Sequence, residues 1–260
     1  MLTSPGRPAV RLLVVALAAA TALLAGCSGD GGPSASGPRG GSGTPGTSGA
    51  ATSAPTTQSG TSPTVAEVYR AARTASLSAE SGHAKGTITR DGTTMGIDVQ
   101  GLANGSNQTL QVTTPKGGTA EVLTVGDGYW AGGDETHWAD VTGNRKGAKA
   151  LVGKYAKVTE SEATAQGSIT LRSLLTDAFA RPELSLLESD TGAASETRVD
   201  GVPAYVLGPE GGPRLWVAAD GSGTLLRLTG PKSDPSDLTF SDWGRAPTFT
   251  EPPPDKVTEN

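Results

Sequence analysis

Short apolar stretches separated by turn residues dominate the chain from Gly82 onward, and they constrain its fold more than any other feature. From Met95 to Val99 an apolar side chain stands at every second position, with glycine or aspartate between them. This alternation is typical of a strand with one face in the core and the other in water. The Asp91-Gly92 pair just before it is typical of a two-residue hairpin turn. The pattern therefore predicts an antiparallel sheet.

About ten strands are predicted in all, separated by glycine-containing turns at intervals of roughly eight to twelve residues. The first six contain Ile88, Met95 to Val99, and Leu110 with Val112, and then cover 120–125, 129–131 and 137–139. Four more are predicted over 198–207, 214–218, 223–229 and 238–243. An antiparallel sheet of this many strands is expected to curl.

A first helix is predicted over residues 65–80. Thr64 and Glu67 match a capping box, in which the Thr64 hydroxyl accepts from the Glu67 amide and the Glu67 carboxylate reaches back. Apolar residues then recur near helical spacing, and Gly82 offers a stop.

A second helix is predicted from a stripe of apolar residues with the spacing 0, 3, 4, 7 and 8. The stripe consists of Leu171, Leu174, Leu175, Ala178 and Phe179. Pro182 is expected to end this helix. Residues 151–155 fit either a short helical turn or a further strand, and both interpretations stay open.

Helices that accompany a long antiparallel sheet predict an α+β fold in which the helices pack on one face of the sheet. We expect residues 64–245 to form one domain of 182 residues. A domain of that size buries about 70% of its unfolded surface. The proline-rich residues 246–260 are expected to be a disordered tail.

The N-terminus has the order of an export signal, because Arg7 and Arg11 accompany an apolar run of 13 residues that ends at Leu24. A bilayer-spanning helix needs roughly 20 residues, so we predict a cleaved signal peptide over 1–26. Leu-Ala-Gly-Cys at 24–27 resembles the lipobox of bacterial lipoproteins, and Cys27 is the only cysteine. The resemblance implies that fatty acyl chains such as palmitate on Cys27 anchor the protein at the extracytoplasmic face of the cell membrane.

Residues 27–63 are predicted to be a disordered tether, since the chain from Ser28 to Pro63 contains no Val, Ile, Leu, Phe, Tyr or Trp. A flexible segment of that length has a root-mean-square reach of about 30 to 35 Å. After removal of 1–26, 19 basic residues stand against 26 acidic ones, which is a net charge of −7. An acidic chain without a basic cluster is not expected to bind nucleic acid.

The order of helix, strand meander, helix and four final strands, behind a lipobox and a low-complexity tether, resembles the LolA-like superfamily. It is most similar to actinobacterial lipoproteins of the LppX and LprG kind. The segments that carry the resemblance are 101–114, 121–130, 201–205 and 214–217. In that family a Gly-x-x-x-Tyr step precedes the last hairpins, and Gly201 with Tyr205 matches it.

The resemblance implies a half-barrel of about ten antiparallel strands with two or three helices on its concave face. Between the sheet and the helices it implies a hydrophobic cavity for acyl chains. Members of the family carry lipids or lipoprotein anchors across the cell envelope. The family has no invariant binding residue that a motif could transfer to this chain.

The stripe of the second helix and the apolar sheet positions are the candidate ligand-binding residues. These candidates are Met95, Ile97, Val99, Leu110, Val112, Leu171, Leu174, Leu175, Phe179, Leu215 and Val217. The helix could form a lid over a lipid cavity, or the same side chains could simply complete the core. The sequence leaves both interpretations open.

Motifs for catalysis, metals and cofactors are weak or missing. Residues 126–131 match the dinucleotide pattern G-x-G-x-x-A, but Gly132-Gly133-Asp134 follows instead of a helix, so we interpret the segment as a turn. His137 lies beside Asp134 and Glu135, yet the local sequence has no further histidine or cysteine ligand, so no metal site is predicted. We predict no catalytic residue and no cofactor.

The leading hypothesis is a non-catalytic, monomeric envelope lipoprotein that binds or carries the acyl chains of a lipid or an acylated ligand. The alternative is a structural or protein-interaction lipoprotein whose core is filled by its own side chains. An apolar cleft of roughly 300 Å³ or more would favour the first hypothesis.

Overall fold

The computed structural model describes residues 62–90, 92–167 and 169–258. The predicted signal peptide, the lipidation site at Cys27, the tether as far as residue 61 and Asp91 of the predicted hairpin turn lie outside these ranges. The helices are α1 (Val65–Ser78), α2 (Glu135–Thr142), α3 (Arg145–Leu151), α4 (Glu160–Gly167), α5 (Leu171–Phe179) and α6 (Pro182–Ser185), followed by a 3₁₀ turn at Leu186–Ser189.

The first six strands are β1 (Ser81–Arg90), β2 (Thr93–Leu102), β3 (Asn107–Thr113), β4 (Thr119–Val125), β5 (Gly128–Gly133) and β6 (Tyr155–Val158). The other six are β7 (Ser195–Val199), β8 (Val202–Leu207), β9 (Arg214–Ala218), β10 (Leu225–Thr229), β11 (Asp237–Ser241) and β12 (Val257–Thr258).

All twelve strands belong to one open sheet in the order β12-β6-β5-β4-β3-β2-β1-β11-β10-β9-β8-β7. Every neighbouring pair is antiparallel except β12 and β6, which are parallel. Two hairpin meanders, β1–β5 and β7–β11, therefore meet where β1 pairs with β11. The predicted α+β fold with a curled antiparallel sheet is confirmed.

The described residues form six helices, whereas two or three were predicted. Four of the six are short and lack a broad apolar stripe, so the sequence pattern did not predict them. Helix α1 begins at the predicted capping box, where Glu67 Oε2 accepts from the Thr64 amide at 2.8 Å. Helix α4 follows a second box of the same kind, formed by Thr159 and Glu162. The Thr-x-x-Glu spacing is visible in the sequence, so this helix start could have been predicted.

The strand predicted at 137–139 is wrong, because these residues lie in α2. The Asp134 carboxylate accepts a hydrogen bond from the His137 amide at 2.8 Å and so caps the helix. Gly143 ends it in the left-handed conformation, with φ of 65°. An aspartate cap and a glycine stop nine positions apart favour a helix over a strand.

The strand predicted over 198–207 is two strands. Asp200 and Gly201 both have positive φ, 49° and 83°, and form the turn between β7 and β8. Residues 151–155 combine the two interpretations left open, since Leu151 ends α3 and Tyr155 begins β6.

The C-terminal segment was expected to be a disordered tail. Instead, as far as residue 258, it makes contacts with distant parts of the chain. Phe249 exchanges two backbone hydrogen bonds with the Asn107 side chain, at 2.9 and 2.8 Å. Val257 and Thr258 then pair with Tyr155 and Ala156 at the edge of the sheet. This segment is ordered by partners that lie more than 100 positions away in the sequence. Composition alone contains no information about them.

Candidate functional site: the core beneath helices α1 and α5

The structure brings together the residues predicted to line a cavity. Nine of the eleven belong to one buried cluster and expose 8% or less of their surface: Ile97, Val99, Leu110, Val112, Leu171, Leu175, Phe179, Leu215 and Val217. Met95 and Leu174 are partly buried and pack against the same cluster.

Register and strand alternation explain this convergence on the sheet side. Ile97 stands opposite Val112 and Val99 opposite Leu110 across the β2–β3 pair. Because side chains alternate between the faces of a strand, these four residues share one face. Val217 reaches the same cluster from β9, on the other side of the β1–β11 junction.

Helix α5 presents its apolar stripe to this core and is tied down at its N-terminal end. The Arg172 amide donates to Ala103 O at 3.0 Å, between β2 and β3. The Arg172 guanidinium donates to the carbonyl groups of Leu77 and Ala79, at the end of α1. Gln108 Nε2 donates to Ile169 O at 3.0 Å, just before the helix. These bonds join α5 to the sheet and to α1, which favours the core interpretation of the stripe in this conformation.

Helix α1 covers the neighbouring part of the core. Tyr69 is fully buried, and its ring meets the Phe179 ring edge to face with centroids 5.8 Å apart. Burial raises the pKa of the Tyr69 hydroxyl. On the outside of the helix, Arg70 Nη2 donates to Glu188 O at 2.8 Å. In this conformation the helix is held by packing on one side and by a hydrogen bond to the segment after α6 on the other.

A small cleft of about 230 Å³ leads from the surface to this core. It lies between α1 and the C-terminal half of the sheet, and Val68 and Val217 connect its wall to the core cluster. The other wall includes Ala71, Tyr205 and the turn between β9 and β10. The cleft is smaller than the roughly 300 Å³ at which ligand pockets begin.

Sequence patterns did not predict most residues of this cleft. Gly223 lies so close to α1 that a Cβ there would stand 2.7 Å from Ala71 O, and its φ is 71°. Tyr205 was noted only as part of the Gly-x-x-x-Tyr step. The glycines at 221 and 223 signal a turn but not which helix packs against it, so only the tertiary structure reveals the cleft.

Only the first two residues of the segment matched to a dinucleotide pattern form a turn, and residues 128–131 belong to β5. Gly126 has φ of 58° and lies between β4 and β5. His137 is half-buried, and desolvation lowers the pKa of its imidazole. The Asp134 carboxylate is occupied by the amides of His137 and Thr119. Within the described ranges, no group of three potential metal ligands comes together.

One histidine on the other face of the sheet has a serine and two carboxylates around it. His83 Nε2 lies 2.6 Å from Asp98 Oδ1, and Ser241 Oγ lies 3.5 Å from His83 Nδ1. The Ser241 hydroxyl donates to Asp242 Oδ2 at 3.1 Å. The contact between the hydroxyl and the imidazole is long, and the hydroxyl has the Asp242 carboxylate as a nearer acceptor.

No helix among the described residues has the length and apolar character required to cross a bilayer. Neither a scan against protein-family models nor a search of curated proteins found a match for the sequence.

Solved structures with a similar chain path were found. LprF from Mycobacterium bovis is 15% identical with a TM-score of 0.46, over 74% of this chain and 99% of its own. The Mycobacterium tuberculosis lipoprotein LppX is 18% identical with a TM-score of 0.39, over 72% of this chain and 98% of its own. The predicted resemblance to lipoproteins of the LppX kind is confirmed as a structural likeness. At this level of similarity it assigns no ligand.

Proposed function

We propose that this chain is a lipid-anchored envelope lipoprotein that takes up an acyl chain between α1 and the C-terminal half of its sheet. The observation that carries the proposal is the apolar cleft, whose walls join the core cluster at Val68 and Val217. Glu67 is the only charged residue that lines it. An acyl chain that enters here would meet apolar side chains as far as the core.

Uptake requires α1 to move outward, because the interior is filled in this conformation. Three of the four candidate residues of α5 are buried, and the N-terminal end of α5 is bonded to Ala103, between β2 and β3, and to Gln108 of β3. Among the described residues, no hydrogen bond joins the middle of α1 to the sheet. A glycine-rich turn faces the helix at Gly223. We therefore assign the movable element to α1 and not to α5, the helix proposed as a lid from sequence.

Each methylene of an acyl chain gains about 0.8 kcal/mol when it leaves water. Each methylene that enters the cleft would therefore offset part of the free energy lost when α1 separates from the sheet. Longer chains would need further displacement of the helix, so affinity is expected to level off with chain length.

The experiment is a lipid-loading assay by native mass spectrometry on the purified lipoprotein after incubation with phosphatidylglycerol vesicles. Ala71 is exposed and lines the cleft, so Ala71→Trp would fill the cleft while leaving the core intact. We expect bound phospholipid in the wild type and at least a tenfold loss in Ala71→Trp. Thr74→Trp, on an exposed position of the same helix outside the cleft, is the matched control.

The filled core also favours a second function, a structural or protein-interaction lipoprotein. The supporting observation is that nine of the eleven candidate residues are already buried by each other. If the wild type carries no phospholipid and takes none up from vesicles, the lipid proposal is wrong and this second function stands.

A further inference from the structure

The face of the sheet away from α1 and α5 carries a second and larger depression of about 630 Å³, here called the outer basin. Its walls come from β1, β7, β9, β10, β11 and the β7–β8 turn, and it shares no residue with the cleft beside α1. Trp216 lies in its wall, between the core residues Leu215 and Val217. Alternation along β9 therefore directs the indole to the outer face.

Four residues of the outer basin form a row across neighbouring strands. Arg227 stands opposite Trp216, Thr239 opposite Arg227, and Lys85 opposite Thr239. Adjacent strands are about 4.8 Å apart, so the row extends over roughly 15 Å. The spacing between strands is close to the length of one sugar unit in an oligosaccharide chain, and the row offers one side chain at each step.

Two of the three basic residues in the wall of the outer basin, Arg227 and Lys85, form ion pairs within the sheet. Arg227 donates to Asp237 through Nε at 2.8 Å and through Nη2 at 2.5 Å. Lys85 Nζ lies 2.9 Å from Asp98 Oδ2. Of the remaining charged residues in the basin wall, Arg198 is basic and Asp200 is acidic. A charged ligand that bound Arg227, Asp237 or Lys85 would have to compete with these ion pairs, whereas a neutral ligand can share them.

The paired groups keep hydrogen-bonding capacity that a hydroxyl group can use. An ionised carboxylate accepts through up to four lone-pair positions, and a guanidinium has five N–H donors. Arg198 uses one nitrogen for a bond to Gly201 O at 2.8 Å. Alcohol groups both donate and accept, so a hydroxyl-rich ligand suits a surface on which donors and acceptors alternate.

Trp216 gives the outer basin an apolar wall of fixed orientation. The guanidinium groups of Arg214 and Arg227 lie 5.6 and 5.2 Å from its ring centre. Trp216 is half-buried, and cation–π contacts of this kind hold its indole in place. An indole offers a flat apolar surface next to polar groups, and the C–H face of a sugar ring is complementary to it.

We propose that the outer basin binds an uncharged saccharide, with Trp216 against a sugar ring and Asp237, Arg227 and Arg198 bonded to hydroxyl groups. The balanced charges, the alternation of donors and acceptors and the single indole wall together select this class over phosphates, acidic peptides and acyl chains. The site is separate from the cleft at α1, so each can be tested without the other.

The test is isothermal titration calorimetry of the full-length lipoprotein with cellohexaose, maltohexaose and chitohexaose, in a detergent that has no sugar headgroup. We expect at least one hexasaccharide to bind with a Kd of about 1 mM or tighter. Trp216→Ala should weaken that binding by at least about tenfold. Arg198→Gln replaces the five N–H donors of an exposed guanidinium with the two of a shorter amide and should also weaken it. Gln111→Ala, on the outer face of β3 opposite Asp98, is the control expected to bind normally.

The dependence of affinity on the length of the saccharide distinguishes two sources of the sugar. A hexasaccharide that binds much more tightly than its disaccharide supports a polymer, and equal affinity supports a terminal sugar such as a glycolipid headgroup. If none of the three hexasaccharides binds, or if Trp216→Ala and Arg198→Gln bind like the wild type, the proposal is wrong. Binding of inorganic phosphate in place of every hexasaccharide would also overturn it.

Discussion

Asn107 and Phe249 lie 142 positions apart and are joined by a pair of hydrogen bonds. Asn107 Nδ2 donates to Phe249 O at 2.9 Å, and the Phe249 amide donates to Asn107 Oδ1 at 2.8 Å. The Asn107 side chain thus binds a backbone unit as a neighbouring strand would. This pair fixes the C-terminal segment near the start of β3, on its way from β11 to β12.

Asn107→Ala is expected to release this segment, because both backbone groups of Phe249 lose their partner. A net loss of about 1 to 2 kcal/mol is expected, since each bond contributes about 1 kcal/mol. Hydrogen exchange measured by mass spectrometry should accelerate over 247–258 and stay unchanged in α5. Uniform acceleration in both regions would contradict a local role for the pair.

Leu175→Ala is expected to lower the free energy of unfolding by about 2 to 5 kcal/mol, because its side chain is surrounded by core residues that cannot close the void. Its exposed fraction is only 1%. Leu174→Ala, at a partly buried position of the same helix, should cost clearly less. Urea denaturation would measure both.

Leu175→Trp distinguishes a filled core from a lid over open space. Overpacking a filled core is expected to cost roughly 1 to 3 kcal/mol or more. If Leu175→Trp unfolds at the wild-type urea concentration, space must exist beneath α5, and our assignment of the movable element to α1 is wrong.

Asp98 is expected to make stability depend on acid pH. Burial alone would raise the pKa of its carboxyl, but hydrogen bonds from Lys85 and His83 outweigh burial and lower the pKa below the ordinary value of 3.8. A carboxyl with a lowered pKa in the folded state stabilises the protein above pH 3.8. That contribution is lost as the pH falls through the lowered pKa.

The measurement is the difference in thermal stability between the wild type and Asp98→Asn across the acid range. The difference should be constant near neutral pH and shrink below about pH 4. Asp237→Asn is not a suitable control, because it removes a second ion pair. Thr109→Ala, on β3, carries no charge and should give a pH-independent difference.

Cys27→Ser is expected to abolish membrane retention, because neither lipidation nor lipoprotein-specific cleavage can proceed without the thiol. Fractionation with an alkaline wash, followed by mass measurement, would test this. A variant that stays with the membrane and has the mass of a lipidated chain would show that Cys27 is not the anchor.

Local sequence determined those parts of the fold that depend on neighbouring residues. The Thr64–Glu67 box starts α1 because the two side chains satisfy amides three positions apart. Alternation from Met95 to Val99 predicts β2 because side chains on a strand point to opposite faces. The apolar stripe of α5 likewise predicts which side chains reach the core.

Tertiary structure decided the features that depend on distant partners. Tyr155 pairs with Val257, and Gly223 lies against Ala71, yet no local pattern links either pair. The row from Trp216 to Lys85 exists only because β11 returns to pair with β1. A side chain's face follows from its own strand, whereas its neighbours across a sheet follow from strand order. Strand order is set by the packing of the whole chain, so the cleft and the outer basin could not be derived from the sequence.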